Sequence, residues 1–179
     1  VATGDGTSGP ALYYTSLEMK PEKLAASSAR IFLGLQIQCA QCHDHPTDHW
    51  TQRDFWGYAA FFSQLKAPGE EMNNVRVVDS EEGEVVLPDS DEVIAPKFPG
   101  STVESTIDFG TRRSKLAIWM ASRDNPYLVR AAVNGICAQL FGRGLGHPVD
   151  DLGRTNPATH PEPFTRTLTY SPKHQSAPR

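Results

Sequence analysis

With 179 residues, 39% of them apolar, and a formal net charge of −4, the chain has the length and composition of one ordinary domain with a packed interior. No run reaches the roughly 18 apolar residues of a membrane-spanning helix, because Arg30, Gln36 and Gln38 interrupt one apolar stretch and Asn134 and Gln139 another. The charge argues against a nucleic-acid partner: residues 1–90 carry 13 acidic and 6 basic side chains, residues 91–179 carry 8 and 11, and the seven carboxylates from Asp79 to Glu92 read as a solvated loop.

Val1 to Thr15, rich in Gly, Ser and Thr, reads as an irregular lead-in, and any export signal is expected to lie outside this sequence or to have been removed. Pro21 and Glu22 suit the first turn of a helix. Leu24, Ile31, Phe32, Leu35, Cys39 and Cys42 then recur at helical spacing, which predicts one helix from Pro21 to about Asp44 with both cysteines in its buried stripe. Pro46 ends it. A second helix is predicted from Thr51 to about Leu65, with Thr51 as N-cap, Asp54 closing a capping box, and Trp50 stapled to Phe55.

From Val75 to Lys97 the texture becomes β: Val75 to Val78, Glu84 to Leu87 and Val93-Ile94 predict a small hairpin or meander. Two further helices are expected, Arg112–Ser122 and Pro126–Phe141, the latter capped by Asn125 and stopped by Gly142 or Gly144. Leu128, Ala131, Ala132, Ile136 and Leu140 form its packing face, with Cys137 a small buried residue among them. Prolines at 148, 157, 161, 163 and 172 leave the last part loop-rich. The fold expected is mainly α with a small β hairpin or meander.

The stretch "IQCAQCHDHP" (Ile37 to Pro46) carries the chemistry. In Cys-x-x-Cys-His, two thiols attach a haem covalently and the histidine supplies an axial nitrogen to iron. Cys39 and Cys42 would hold the haem edge and His43 would be the proximal ligand. Other chemistries use the same residues. A zinc site would draw on His45 and His49, which crowd onto one short segment, and a thioredoxin-like pair expects its first cysteine at a helix N-terminus. Cysteines that merely pack are the fourth reading, and three cysteines in all leave one unpaired in any disulfide scheme. On the far side of the iron, His160 and His147, each preceding a proline in the loop-rich part, are the candidate distal ligands. His45 and His49 are expected to fix their loop through Asp44 or Asp48, and Met19, Met72 and Met120 to pack. Phe32, Leu35, Trp50, Phe55 and Phe62 are expected to line the cofactor as an apolar wall.

"LGLQIQCAQCHDHPTDHWTQRDFWGYAAFF" (Leu33 to Phe62) resembles a cytochrome-associated domain of unknown function abundant in planctomycetes. "DNPYLVRAAVNGICAQLFGRGLGHPVDDLGRTNPATHPE" (Asp124 to Glu162) is similar to the start of a second domain that usually follows it. The resemblance implies exported, haem-bearing, multidomain proteins with a redox role. On this reading residues 1–98 form a haem-binding cytochrome-like region with a β insertion at about 75–97, residues 99–164 a helical block packing on it, and residues 165–179 a tail without fixed structure. The expected function is that of a monohaem c-type cytochrome, an electron carrier more than a catalyst, with one covalent haem c. It is expected to work with a redox partner protein or neighbouring haem domain, or by self-association, in the periplasm, at the cell surface or outside the cell. The alternatives are a zinc-binding or scaffold domain without redox activity, and a haem oxidoreductase with an open iron position.

Overall fold

The computed structural model describes residues 9–66, 77–101, 110–156 and 158. Their helices are α1 (Gly9–Ser16), α2 (Pro21–Ser28), α3 (Gln52–Ala59), α4 (Arg112–Ala121) and α5 (Leu128–Phe141). Two antiparallel strand pairs join them, β1 (Leu65–Lys66) with β2 (Val78–Asp79) and β3 (Val85–Val86) with β4 (Val93–Ile94). The fold is thus helix-rich with a small β component. Val75, Met72, His160 and the tail from 165 lie outside the described residues.

The core forms where α2, α3 and the segment between them bury Leu24, Leu33, Leu35, Ile37, Phe55 and Tyr58. Tyr58 is fully enclosed, and burial pushes its phenol far above the usual range, opposed only in part by the Ser28 hydroxyl at 3.0 Å. A buried phenol needs such a partner. From the second half of the chain, Phe98 enters the core as the middle ring of a stack, 4.8 Å from Phe61 at 16° and 4.9 Å from Trp119 at 9°. That stack joins the turn after α3 to α4. Arg112 adds a polar clamp: Nη1 donates to the carbonyls of Ala60 and Gly83 and to the Ser63 hydroxyl, while Nη2 meets the Glu84 carboxylate at 2.7 and 2.8 Å.

The long first helix does not exist as expected. After Ser28 the chain widens into a π-helical turn, Ala29–Leu33, which Gly34 stops at φ +64. A π turn holds more residues than an α turn, so the helical phase slips and Ile31 and Phe32 emerge at 60% and 43% exposure. Irregular chain then buries Leu35 and Ile37 before a short 3₁₀ turn at Gln38–Gln41. Cys39 and Cys42 are exposed, not part of a buried stripe.

The second helix has its expected start: the Thr51 hydroxyl accepts from Asp54 N, and the Asp54 carboxylate accepts from Thr51 N at 3.0 Å. It ends six residues early. Phe61 N and Phe62 N bond back three residues, to Tyr58 and Ala59, which tightens the last turn and frees Leu65 to pair in β1. α4 and α5 lie close to expectation, with Asn125 Oδ1 accepting from the amides of Tyr127 and Leu128 and Gly142 closing α5 at φ +74. The packing face of α5 does not. Ile136 and Leu140 are 56% and 71% exposed, and Cys137 is half-buried. Of that expected face Ala131 does pack, approaching Gly34, and beside it the buried Asn134 binds the following loop.

Candidate functional site

Residues 38–56 build the motif loop from both ends. The backbone carbonyls of the motif turn face α3: Gln41 O accepts from Trp56 Nε1 at 3.0 Å and from Gln52 Nε2 at 3.2 Å, and Cys42 O accepts from Gln52 Nε2 at 3.2 Å. With its carbonyls held inward, the turn presents the Cys39 and Cys42 side chains to solvent. Cys39 lies within the 3₁₀ turn and Cys42 caps it three residues on. Both cysteines are free.

His43 follows on the same exposed edge, and its Nδ1–H donates to the Asp44 carbonyl at 2.7 Å. Nε2 is thereby the ring nitrogen left with a lone pair. Asp44 is fixed in turn, because its carboxylate accepts the first amide of α3, Gln52 N, at 2.8 Å. That amide is one of the orphan donors of a helix N-terminus.

The remaining loop closes through His45 and Asp48. His45 N donates to Trp50 O at 2.8 Å, and His45 Nδ1 accepts from the amides of Thr47 and Asp48. Asp48 Oδ1 takes His49 N at 2.7 Å and pairs with the His49 ring, while Oδ2 reaches across the fold to accept Arg154 N at 3.1 Å. His45 and His49 therefore serve the loop, as their spacing suggested. Among the described residues no three His, Cys, Asp or Glu side chains converge to hold a metal ion.

The other expected site residues separate. Leu35, Trp50, Phe55 and Phe62 lie in the core, packed on protein, and of the expected apolar wall only Phe32 reaches the surface. His147 is exposed on the loop after α5, between Gly146 and Val149, which Asn134 binds. His160 lies outside the described residues. Sequence reasoning missed Gln52 and Trp56, whose polar ends hold the motif turn, and Asn134. The placement of Gln52 at the first position of a capped helix was a signal for the first of these.

Three carboxylates tie this region together, and their titration predicts an acid limit. Burial alone would raise Asp48, Asp54 and Asp150, but hydrogen bonds from His49 and Arg154, from Lys97 and Thr51, and from Arg30 and Gln36 overrule it and hold all three below the usual carboxylate range. A carboxyl lowered by folding contributes stability above its unfolded value and loses it as pH falls through its folded value. The thermal midpoint is therefore expected to hold from about pH 6 to 5 and to drop below about pH 4. The Asp48→Asn, Asp54→Asn double variant, less stable at neutral pH, should show a shallower fall, and an equally steep one would assign the acid loss to other groups.

Residues 7–67 match the family PSCyt2, a protein of unknown function (DUF1549). Residues 112–164 match PSD1, also a protein of unknown function (DUF1553). No curated protein and no solved structure matches the chain. Among the described residues no helix is long and apolar enough to cross a membrane. The motif loop lies inside the first matched region and Asn134 inside the second, and the two matches in this order place the chain in the two-domain, cytochrome-associated family of unknown function.

Proposed function

We propose that the protein is a monohaem c-type cytochrome that carries single electrons. The observation behind this reading is the edge made by Cys39, Cys42 and His43: two free, exposed cysteines three residues apart, in a 3₁₀ turn and at its cap, followed by an imidazole whose Nδ1–H is committed to a backbone carbonyl. Metal-ligating histidines are oriented by such a bond through their other nitrogen. A bound haem supplies an iron that cycles between two oxidation states. Cys39 and Cys42 would hold it, each S–H adding across a vinyl double bond so that carbon–sulfur and carbon–hydrogen bonds form with no net oxidation. His43 Nε2 would supply the proximal nitrogen, with His147 or His160 as distal candidates. Trp56, Gln52 and Asp44 keep that edge presented.

Haem attachment of this kind takes place outside the cytoplasm, so an exported protein with a redox partner or a neighbouring haem domain follows from the reading. A second reading, an interaction domain without redox activity, draws support from the apolar side of α5, where Ile136, Leu140 and Phe141 are exposed.

The deciding experiment produces the chain together with a c-type cytochrome maturation system and records its visible spectrum, oxidised and reduced. The expected result is sharp α and β bands on reduction and haem that stays with the chain on a denaturing gel. Both should be lost in the Cys39→Ser, Cys42→Ser variant, and His43→Ala should keep the attachment while changing the spectrum. A colourless chain overturns the proposal in favour of the interaction domain. Binding of cyanide without loss of a protein ligand would make the iron an open site and direct attention to oxidoreductase chemistry.

A further inference from the structure

A cavity of about 410 Å³ lies on the opposite logic from the motif edge: none of its lining residues is Cys39, Cys42 or His43. Buried Phe62, Leu116 and Ser28 line it, Tyr13 and Tyr14 of α1 form a wall, and exposed Phe32 and Ala117 stand at its edge. Its size is that of a small-molecule site, and most of its surface is apolar.

Hydroxyls of Tyr13, Ser28, Thr111 and Ser114 belong to residues of the lining, and its one charged pair is Arg113 with Asp79. Arg113, whose side chain is only 10% exposed, donates from Nη2 to Asp79 Oδ2 at 2.9 Å and sits 5.5 Å from the centre of the Tyr14 ring. Its Nη1 is buried with no hydrogen-bond partner among the described residues. A buried guanidinium donor left unmet is costly, and Arg113 is itself part of the cavity lining, so a ligand oxygen there is within reach of a small side-chain movement. Asp79 already balances the charge. An anionic ligand would meet that carboxylate, a cation would find no free carboxylate, and a pure hydrocarbon would leave Nη1 unmet.

We propose that this cavity binds a neutral aromatic carbonyl compound, its rings against Tyr14, Phe62 and Leu116 and its carbonyl oxygen accepting from Arg113. Quinones and aryl ketones belong to this class. The site is independent of the haem proposal and stands or falls by its own test.

The probe is benzophenone, which has two rings and one carbonyl and cross-links to its site under ultraviolet light. Calorimetric titration of the full chain should give saturable binding, with cross-links on α1 or α4 peptides. Diphenylmethane, which keeps the rings and lacks the carbonyl, should bind at least about tenfold more weakly, as should the anion 4-benzoylbenzoate. Ala117→Trp, placed at an exposed edge position so that folding is preserved, should abolish binding by filling the cavity. The paired variant Asp79→Asn, Arg113→Met removes donor and carboxylate together and should erase the preference for benzophenone over diphenylmethane. Equal binding of those two by the native chain, cross-links elsewhere, undiminished binding by the Ala117→Trp protein, or no binding at all would each overturn the proposal.

Discussion

Replacing Phe98 by alanine is expected to lower stability by about 3–5 kcal/mol, the range for removing a large aromatic from a packed interior. The side chain is 8% exposed and is the middle ring of the Phe61–Phe98–Trp119 stack, so its loss opens a gap with an aromatic face on each side. Trp119 is fixed in α4 and Phe61 in the turn after α3, so neither can close that gap without moving its backbone. The urea midpoint should fall with little change in slope, and Phe98→Leu should recover about half of the loss. A double-mutant cycle with Trp119→Leu should give a coupling of about 1 kcal/mol, the excess that ring pairs show over their buried area. Destabilisation of less than about 1 kcal/mol by the alanine variant would mean that the two halves are held by other contacts.

The second large effect is expected at Asn134, and its basis is polar. Asn134 is fully buried on α5, where its Nδ2 donates to Gly146 O at 3.1 Å and Val149 O at 3.0 Å and its Oδ1 accepts Gly146 N at 2.8 Å. A β-carbon on Gly144 would come within 2.5 Å of Oδ1, which shows how closely the loop wraps the amide. Alanine strands the buried polar groups of Gly146, at a cost of about 3 kcal/mol that its better helix propensity offsets by only about half a kcal/mol. Asn134→Asp separates shape from chemistry. It keeps an acceptor for Gly146 N but replaces the donor facing two carbonyls with a carboxylate oxygen, so it should be at least as damaging as alanine. Denaturant titration of both variants checks the order, and a benign aspartate would remove the amide from its assigned role.

What the sequence disclosed divides along the range of the interactions. The capping box at Thr51 and Asp54, the helices at 112 and 128, and the Cys-x-x-Cys-His spacing are local patterns, and each is present where the residues put it. The error in the first helix was also local in origin. Leu33-Gly-Leu-Gln-Ile-Gln38 alternates apolar residues with Gly or Gln, which is not a helical period, and a 3.6-residue count carried through it overlooked the break at Gly34. β1 was invisible for another reason: Leu65–Lys66 is a strand only because Val78–Asp79 lies beside it. The exposed side of α5 defeats periodicity in the opposite way, since an amphipathic pattern says that a face is apolar without saying that the fold covers it. At the candidate site, spacing singled out Cys39, Cys42 and His43, whereas the bonds from Trp56 and Gln52 that hold the motif turn depend on where α3 comes to rest.

Among the bonds that run between the first matched region and the second are Leu152 N to Gly34 O at 2.7 Å, Arg154 N to Asp48 at 3.1 Å, and Arg30 to Asp150. All three reach the segments that flank the motif turn. Recombination that exchanged the first region alone between relatives would carry the cysteines and histidine into a setting where Asp48 and Gly34 had lost their partners. The two matched regions are thus joined by bonds that a crossover between them would have to replace.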